Sequence, residues 1–540
     1  MKRFWLIFII FTLMVMPSYS ADIRLGGGGH TIQEEGSNLT ARSSLNFIGS
    51  SIVCSDNSGQ SRTDCTVSNP NAGFVNAKSY NASGDGATTT TLSAQLTAGA
   101  TTMSVASSST FDANEDIFIP GAGAAGAALI VNITSISVND ITFSPATSTT
   151  VASGGTIYHD DTQALTDAEA TGSNVYIPAG VYPVSSEITW NVAGVQILGD
   201  GWNGSTSGGT ETQILRLRAV NNVFYLNASG IRLSWIHINQ NTAYTPTSGY
   251  AVVVGNTSTT INRPNIDHVK IAGIWGGIHL RIVNEGILTY IKIYAPEYIG
   301  ILVDDPAPNG DNFFFGIHIS GDCNTSGCNT STGIYFEQAD LSYWQEIKVL
   351  NMGTAGIDFN PASGKSAHQQ YFTNIAVEGQ AGTADSYLVN IRGYGTAYIT
   401  FENSAFGNNG GSGGRGINIG GNVLAQQISF VGCVFDNIDR HAIRIAGIGI
   451  IISSSQFVDA SYQTDNTYSY IYLDTTSSTD IIIIGNKFFN YTVNDAKYVI
   501  ECASTPAYMT VIGNNLRGAY QTGTHNCGTT TGWIYANNQE

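Results

Sequence analysis

A short apolar string recurs through the second half of the sequence and constrains the fold more than any other feature. Eleven such strings, from WIHI at 235–238 to NNL at 514–516, end in an apolar residue, and these last residues lie 22 to 33 positions apart. Helical repeats keep a strict period, whereas coils made of short strands and variable loops do not. The spacing therefore predicts a solenoid of β-strands with Gly and Asn at its corners.

A second string lies between copies of the first and alternates apolar with other residues. Nine coils carry it, from Ile278-His279-Leu280-Arg281 to Ile500-Glu501-Cys502-Ala503. Strand side chains alternate between faces, so the apolar positions point into the solenoid and the others form one outer surface. The pattern predicts an all-β fold, a right-handed parallel β-helix, over residues 158–520.

The N-terminus and the charge balance limit where the chain acts and what it binds. Lys2 and Arg3, an apolar run from Phe4 to Met16 and small residues before Ala21 have the layout of a signal peptide, which predicts secretion. No later segment reaches the ~20 apolar residues of a membrane helix, so no membrane insertion is predicted. The 22 basic residues, against 40 acidic ones, form no stripe for nucleic acid.

Seven cysteines in an exported chain predict disulfides. The predicted pairs are Cys54 with Cys65 across a turn-rich stretch, Cys323 with Cys328 around a short loop, and Cys502 with Cys527 one coil apart, which leaves Cys433 as a buried thiol. A metal site is the alternative, but no CxxC or CxxH spacing occurs. We therefore expect no metal and no cofactor, except Ca²⁺ if the protein is a lyase.

Two segments before the repeats carry a specific set of motifs. They are FVNAKSYNASGDG at 74–86 and YHDDTQALTDAEATGSNVYIPAGVYPVSSEITW at 158–190. Together they resemble the opening of the pectate lyase and rhamnogalacturonase-like β-helix superfamily, which includes phage tailspike-like proteins. GDG and DDT stand close together in that superfamily, so the resemblance implies an insertion between them, whose alternating sequence predicts a small β module.

The same resemblance places a short helix, TQALTDAEA, at the start of the β-helix. Asp160 or Asp161 can cap its N-terminus and Gly172 can close it, and the helix would cover the open first coil. The predicted organisation is a signal peptide at 1–20, a Gly-rich segment with a β-hairpin module at 21–70, the start of the β-helix motif at 71–86, the insert at 87–157, the β-helix at 158–520 and a C-terminal cap at 521–540.

Outward residues of neighbouring coils, about 4.8 Å apart, form one patch. Five coils supply its candidates, which are Glu337, Asp358 and Asp304 for catalysis and His279, Arg281, Tyr335, Asn390 and Arg392 for substrate binding. Carboxylates flanked by arginines and an aromatic residue are typical of a sugar-cleaving groove. In polygalacturonases, another branch of the superfamily, the corresponding strand bears the catalytic acids, but their motifs do not match here and no residue is carried over.

Ideal spacing places Asp304 roughly 5 Å from Glu337, and Glu337 roughly 8 Å from Asp358. The first separation suits a retaining glycosidase and the second an inverting one, which the spacing slightly favours. We expect repulsion among the carboxylates to raise the pKa of one of them. The alternative is a solvated surface in which Arg281 and Asp304 form a cross-strand ion pair.

Three functions remain open. The first is a glycoside hydrolase that cleaves an extracellular or cell-surface polysaccharide. The second is a polysaccharide lyase, which would remove the proton beside a uronic carboxylate. The third is a non-catalytic glycan-binding adhesin or a tailspike-like receptor-binding protein, and the tailspike resemblance implies that a homotrimer could form. A second cluster, Asp439, His441 and Arg444, is interpreted as turn and surface residues, with a second functional site as the alternative.

Overall fold

The structure is a computed structural model with two units, Met1–Gly73 and Phe74–Glu540. It describes four short strands before residue 73 by their backbone, and then residues 73–86, 89–202, 211–304, 311–321, 330–379, 386–407, 414–420, 425–461, 466–474, 478–491, 495–504, 506–516, 520–528 and 532–539. The predicted signal peptide and the Cys323–Cys328 pair lie outside these residues.

Two antiparallel pairs of strands are described in the first unit. Gln33–Glu34 pairs with Ser37–Asn38, and Ile52–Asn57 pairs with Arg62–Val67. The register of the second pair places Cys54 opposite Cys65, as expected for a hairpin.

The second unit contains a right-handed parallel β-helix, as predicted. One wall, which we call sheet 1, has thirteen strands among the described residues. They are β1 (Ile188–Trp190), β2 (Phe224–Leu226), β3 (Tyr250–Val254), β4 (Gly276–Leu280), β5 (Ile299–Asp304), β6 (Thr332–Gln338), β7 (Ala355–Phe359), β8 (Tyr387–Ile391), β9 (Arg415–Ile419), β10 (Ile443–Ile445), β11 (Ile471–Leu473), β12 (Ala496–Cys502) and β13 (Tyr520–His525).

The remaining walls form sheet 2, which bends at a corner in most coils and has 26 strands in the described part of the chain. In chain order they are Phe74–Asn76, Asn174–Ile177, Gly180–Val184, Gln196–Gly199, Thr212–Arg216, Arg232–Gln240, Asn265–Ala272, Ile287–Thr289, Lys292–Tyr294, Asn312–Phe315, His318–Ser320, Ser342–Gln345, Lys348–Leu350, Ala367–Thr373, Ala376–Glu378, Thr396–Glu402, Ala405–Gly407, Ala425–Val431, Val434–Ile438, Gly447–Ile448, Ile451–Ser453, Gln456–Ala460, Thr479–Ile484, Lys487–Phe489, Ala507–Ile512 and Ile534–Ala536. A separate pair joins Ile261–Asn262 to Val283–Asn284.

The predicted stacking of the nine alternating strings is confirmed. Leu280, Val303, Phe336 and Phe359 are partners in series, and the same register continues to Cys502. These side chains fill the bore, where the Phe336 and Phe359 rings stack with centroids 4.3 Å apart. Burial of both inward positions in every coil is what fixes the register, because a slip of one residue would turn the apolar side chains outward.

A nine-residue helix, α1 (Thr162–Ala170), covers the first coil, as expected. Its three buried side chains join the bore at the end that would otherwise meet water, and Gly172 follows it with φ +70°. The capping differs in detail from the prediction. The carboxylate of Asp160 accepts from the Thr162 amide, whereas Asp161, at the N-cap position, accepts from the amide and hydroxyl of Ser83.

The insert folds as an antiparallel sheet of six strands among the described residues, namely Thr90–Thr91, Thr102–Ser104, Asp116–Ile119, Leu129–Ser137, Asp140–Ser144 and Thr156–His159. It has its own buried cluster, which includes Ile117, Ile133 and Phe143. Its two flanks come together as expected, since the Gly86 and Asp161 amides both donate to the strand Gly180–Val184, at 2.9 and 2.7 Å.

The Cys502–Cys527 disulfide is present, and Cys433 is a buried free thiol, both as expected. Two 3-10 helices, Ala77–Tyr80 and Ala124–Gly126, complete the described elements. In the described part of the chain, no helix is both long and apolar enough to span a membrane.

Candidate active site

The candidate site lies on the outer face of sheet 1, across strands β4 to β8. One row of register partners there consists of His279, Leu302, Tyr335, Asp358 and Asn390. The predicted outward positions of these strands are therefore aligned. An irregularity after Val303 shifts the pairing, so that Asp304 is the partner of Gln338.

Lys365 joins two of the three predicted carboxylates. Its Nζ lies 2.9 Å from Asp304 Oδ1 and 2.6 Å from Glu337 Oε1. These two distances limit the separation of the two carboxylate oxygens to about 5.5 Å. All three side chains are partly exposed, with Glu337 the most exposed at 35%. The structure therefore brings Asp304 and Glu337 into one cluster, open to solvent on one side.

Asp304 is a strongly acidic group. The His279 imidazole, whose Nε2 lies 3.9 Å from Asp304 Oδ2, and the Lys365 ammonium lower the pKa of Asp304 to about 2, against the effect of burial. The contact between His279 and Asp304, at 3.9 Å, is longer than a hydrogen bond, whereas the contact between Lys365 and Asp304, at 2.9 Å, is within hydrogen-bond distance. Burial also lowers the pKa of His279. Asp304 is therefore ionised, beside an imidazole that is neutral at neutral pH.

Asp358 is held in a separate arrangement and is only 2% exposed. Arg392 donates to both of its oxygens, from Nε at 3.3 Å and from Nη2 at 2.9 Å, and Asn390 Nδ2 donates at 3.0 Å. Asn418 donates in turn to Asn390. With its oxygens occupied and buried, Asp358 is poorly placed to activate a water molecule.

The pKa of Asp358 is raised, and its cause differs from the one expected. Burial raises it, while Arg392 and Asn390 act in the opposite direction. The expectation of a pKa raised by repulsion among clustered carboxylates is not met, since the pKa of Asp304, which lies beside Glu337, is lowered. The His279 imidazole and the Lys365 ammonium, which both lower the pKa of Asp304, explain the difference.

A cleft of about 510 Å³ opens beside this cluster. It is lined by Tyr335, Glu337, Asn360, Pro361, Ala362, Arg392, Gly393 and Tyr394. The Tyr335 hydroxyl accepts a hydrogen bond from Asn360 Nδ2 at 3.0 Å, which fixes the ring at the cleft. The carboxylate of Glu337, the guanidinium of Arg392 and the rings of Tyr335 and Tyr394 thus line one cleft. Of these residues, the sequence analysis predicted Glu337, Arg392 and Tyr335 as site residues.

Arg281 and the second cluster complete the predicted residues. Among the described residues, Arg281 forms no ion pair with Asp304, so the cross-strand pair considered above is not seen and Lys365 takes its place. Asp439 is 2% exposed and accepts from the Gly414 amide, whereas His441 and Arg444 line a different cavity. Asp439 is therefore separate from the surface that the other two residues share.

Lys365 is the functional residue that the sequence did not reveal. It lies in the loop between β7 and the strand Ala367–Thr373, 61 residues after Asp304. Loop residues do not follow the alternation of strands, so their reach across coils cannot be read from periodicity. Within the described residues, no group of three or more His, Cys, Asp or Glu is placed to hold a metal ion.

The class that the fold defines is that of right-handed parallel β-helix proteins, in agreement with the superfamily resemblance of the opening motifs. No family model and no curated protein matches the sequence. Solved structures do match. The catalytic domain of a GH87 alpha-1,3-glucanase in complex with nigerose is 13% identical over 74% of this chain and 90% of that chain, with a TM-score of 0.45.

Two further solved structures are similar at the same level. The A-module of the mannuronan C-5 epimerase AlgE4 from Azotobacter vinelandii is 13% identical over 71% of this chain and 95% of its own, with a TM-score of 0.42. The tailspike protein gp49 from Pseudomonas phage LKA1 is 12% identical over 83% of this chain and 65% of its own, with a TM-score of 0.35. At these identities the similarity is one of fold.

Proposed function

We propose that this chain is a secreted glycoside hydrolase that cleaves an extracellular or cell-surface polysaccharide with retention of configuration. One observation carries the proposal, namely that Lys365 contacts both Asp304 Oδ1 and Glu337 Oε1, so that these two oxygens lie no more than about 5.5 Å apart, and Glu337 lines the cleft. Retaining glycosidases have carboxyl groups about 5–5.5 Å apart, because one of them attacks the sugar directly.

The two carboxylates take different roles. Asp304, with its pKa lowered to about 2, is ionised and serves as the nucleophile. Glu337 faces the cleft and serves as the acid, then as the base, of the two steps. Lys365 is a positioning residue, because it fixes both carboxylates and is itself held by them.

Asp358 is assigned a supporting role in this proposal. An inverting pair of Glu337 and Asp358 would need a water molecule between base and sugar, and the oxygens of Asp358 are already bound by Arg392 and Asn390. Tyr335 and Arg392, which line the cleft, are assigned to sugar binding in this proposal. The Cys502–Cys527 disulfide supports a secreted location, since such bonds persist in oxidising compartments.

The proposal is tested by incubating the purified chain with a panel of neutral and acidic polysaccharides and measuring new reducing ends. Glu337→Gln preserves the shape of the side chain and removes its acid, so it should lower turnover at least about 100-fold, the scale of general acid catalysis. Oligosaccharide binding should stay within a few-fold of the parent. Glu402→Gln, which changes an exposed carboxylate on sheet 2, is the matched control and should retain full activity.

Other outcomes would overturn the assignment. If the parent released products that absorb in the ultraviolet instead of saturated sugars, the protein would be a lyase. If it bound glycans without cleaving any, it would be an adhesin or a receptor-binding protein. If Glu337→Gln kept most of the parent's turnover, catalysis would have to be assigned to other residues.

A further inference from the structure

A column of basic side chains runs along the outer face of sheet 2. Its five members are register partners in successive coils, about 4.8 Å apart. We call them the lysine ladder, and they are His237, Lys270, Lys292, His318 and Lys348. The residue that follows each of them is buried in the bore, so the five side chains point outward.

The lysine ladder concentrates positive charge in an acidic protein. It holds three of the eight lysines of a chain whose net charge is −18. Lys270 and Lys292 lie directly opposite each other, and like charges in such positions repel. Within the described residues, neither Lys292 nor Lys348 forms an ion pair with a carboxylate. The positive charge of these two ammonium groups therefore remains to attract an anion.

His318 lies between these two lysines. Burial and the charges of Lys348 and Lys292 lower the pKa of His318, so its ring is neutral at neutral pH. Because both lysines act on this imidazole, both ammonium groups are near it. The Nε2 atom of His318 is buried and has no hydrogen-bond partner in the described part of the chain. Two cations thus flank a polar atom that the fold leaves unsatisfied.

A cavity of about 390 Å³ adjoins this position. It is lined by Lys270, Ala272, Lys292 and Tyr294, and the short side chain of Ala272 leaves space in front of the sheet. The Tyr294 ring meets the His318 ring edge to face, with centroids 5.8 Å apart. The cavity and the middle of the lysine ladder are therefore contiguous.

An aromatic ring holds one of the lysines. The Lys292 ammonium lies over the Trp202 ring, 4.5 Å from its centroid, and Trp202 is itself buried. A cation–π contact of this kind orients the side chain and leaves its N–H groups able to donate. Lys292 is thus positioned before any ligand arrives.

We infer that the lysine ladder binds a phosphate monoester group between Lys292 and Lys348, over His318, with the rest of the ligand in the adjoining cavity. A phosphate monoester carries a charge of about −1.5 to −2 at pH 7 and so matches two ammonium groups, whereas a carboxylate carries a single charge. Lysine binds phosphate as a compact point charge, and the ladder contains no arginine, whose planar fork suits carboxylates.

The inference is independent of the proposed function. The lysine ladder lies on sheet 2, whereas the Glu337 cleft lies on sheet 1, and neither Lys292 nor Lys348 lines that cleft. A phosphate monoester has two sources outside a cell, namely the headgroup of an acidic lipid and a soluble phosphate ester. Separate experiments distinguish them.

Titration calorimetry with glycerol 3-phosphate tests the site directly. We expect saturable binding whose affinity falls as salt is added. Glycerate, which has a carboxylate in place of the phosphate, should bind at least ten-fold more weakly at the same ionic strength, because its charge matches only one ammonium group.

Variants then locate the binding. Lys292→Gln and, independently, Lys348→Gln should each weaken binding of glycerol 3-phosphate about 10-fold or more, the scale of a charge-assisted hydrogen bond. Lys348→Arg keeps the charge and should retain most of the affinity. Lys487→Gln is the matched control, because Lys487 lies farther along the same column, between Gln456 and Asn515, and it should bind as the parent does. Thermal unfolding checks that each variant is folded.

Co-sedimentation with vesicles identifies the source of the phosphate. Vesicles of phosphatidylcholine with phosphatidate present phosphate monoesters, and vesicles of phosphatidylcholine alone do not. Binding to the first kind only, lost in a chain that carries both Lys292→Gln and Lys348→Gln, assigns the phosphate to a lipid. Binding of glycerol 3-phosphate without binding of vesicles assigns it to a soluble ester.

Three results would overturn the inference. The first is that neither glycerol 3-phosphate nor the phosphatidate vesicles bind. The second is that binding is unchanged in both Lys292→Gln and Lys348→Gln, and the third is that glycerate binds as tightly as glycerol 3-phosphate. Failure of the proposed hydrolysis is a distinguishable result, because these assays read binding alone and both variants keep the Glu337 cleft intact.

Discussion

At the scale of single residues, the outward positions of sheet 1 were predictable and their partners were not. Strict alternation placed Asp358 on the outer face, and the register agrees. The irregularity after Val303 departs from the predicted column, because it pairs Asp304 with Gln338 and not with Glu337. Alternation could not show that Lys365 reaches from a loop to Asp304, nor that Arg392 takes both oxygens of Asp358. Such contacts depend on side-chain length and loop path, which leave no period in the sequence.

Arg392→Gln tests the burial of Asp358. The change leaves a 2% exposed carboxylate without its charge partner, so the free energy of unfolding should fall by about 3 kcal/mol, the lower part of the range for broken buried pairs, since Arg392 is itself 43% exposed. Arg263→Gln, at an exposed pair, should leave it nearly unchanged. Urea unfolding measures both, and equal small losses would contradict the account.

Asp304 predicts a particular dependence of stability on pH. A carboxyl whose pKa is lower when folded stabilises the protein above its unfolded pKa, and this contribution is lost as the pH falls through the folded value. The parent should thus exceed Asp304→Asn by about 1–2 kcal/mol near neutral pH, and the difference should vanish between about pH 4 and pH 2. A difference independent of pH would show that Asp304 is not held ionised.

At the scale of elements, the strands were predicted from apolar spacing and the loops were not. The inward residues recur in every coil, and their burial fixes both sheets. The length of each loop varies, so no period in the sequence predicted the position of Tyr394, which lines the cleft. The strands beneath the cleft could therefore be predicted from the sequence, whereas the loops that complete its lining could not.

Phe336→Ala tests how far the bore supports the site. Phe336 is fully buried, stacks on Phe359, and lies between Tyr335 and Glu337 on strand β6. Its loss should reduce the free energy of unfolding by about 3–5 kcal/mol. Phe313→Ala, at a 37% exposed ring in the preceding coil, is the matched control and should cost less than about 1 kcal/mol. Denaturant unfolding of the two variants compares them, and similar costs would contradict the assignment of the bore.

At the scale of the whole molecule, the opening motifs indicated both the β-helix and the interruption in it. The insert adds a sheet with its own core, yet Gly86 and Asp161 still donate to the same strand. What the motifs could not show is the contact between the two parts, where Phe118 and Tyr158 pack with Leu217. That contact joins residues that are distant in sequence and follow no common pattern.

Replacing residues 89–157 with a short Gly-Ser linker should leave the β-helix folded. The two cores are separate clusters, and the flanks already lie on one strand. We expect a modest loss of stability from exposure of Leu217. Circular dichroism and thermal unfolding of the deletion measure this, and loss of cooperative unfolding would contradict it.

The configuration of the first product tests the central claim most directly. Nuclear magnetic resonance can follow the anomeric signal of the new reducing end while the parent chain cleaves a substrate from the panel. Asp304 Oδ1 and Glu337 Oε1, both bound by Lys365, lie no more than about 5.5 Å apart, and on this basis the proposal predicts retention of configuration. Inversion of configuration would contradict the account, because it would require a water molecule between the two carboxyl groups where direct attack by Asp304 is proposed.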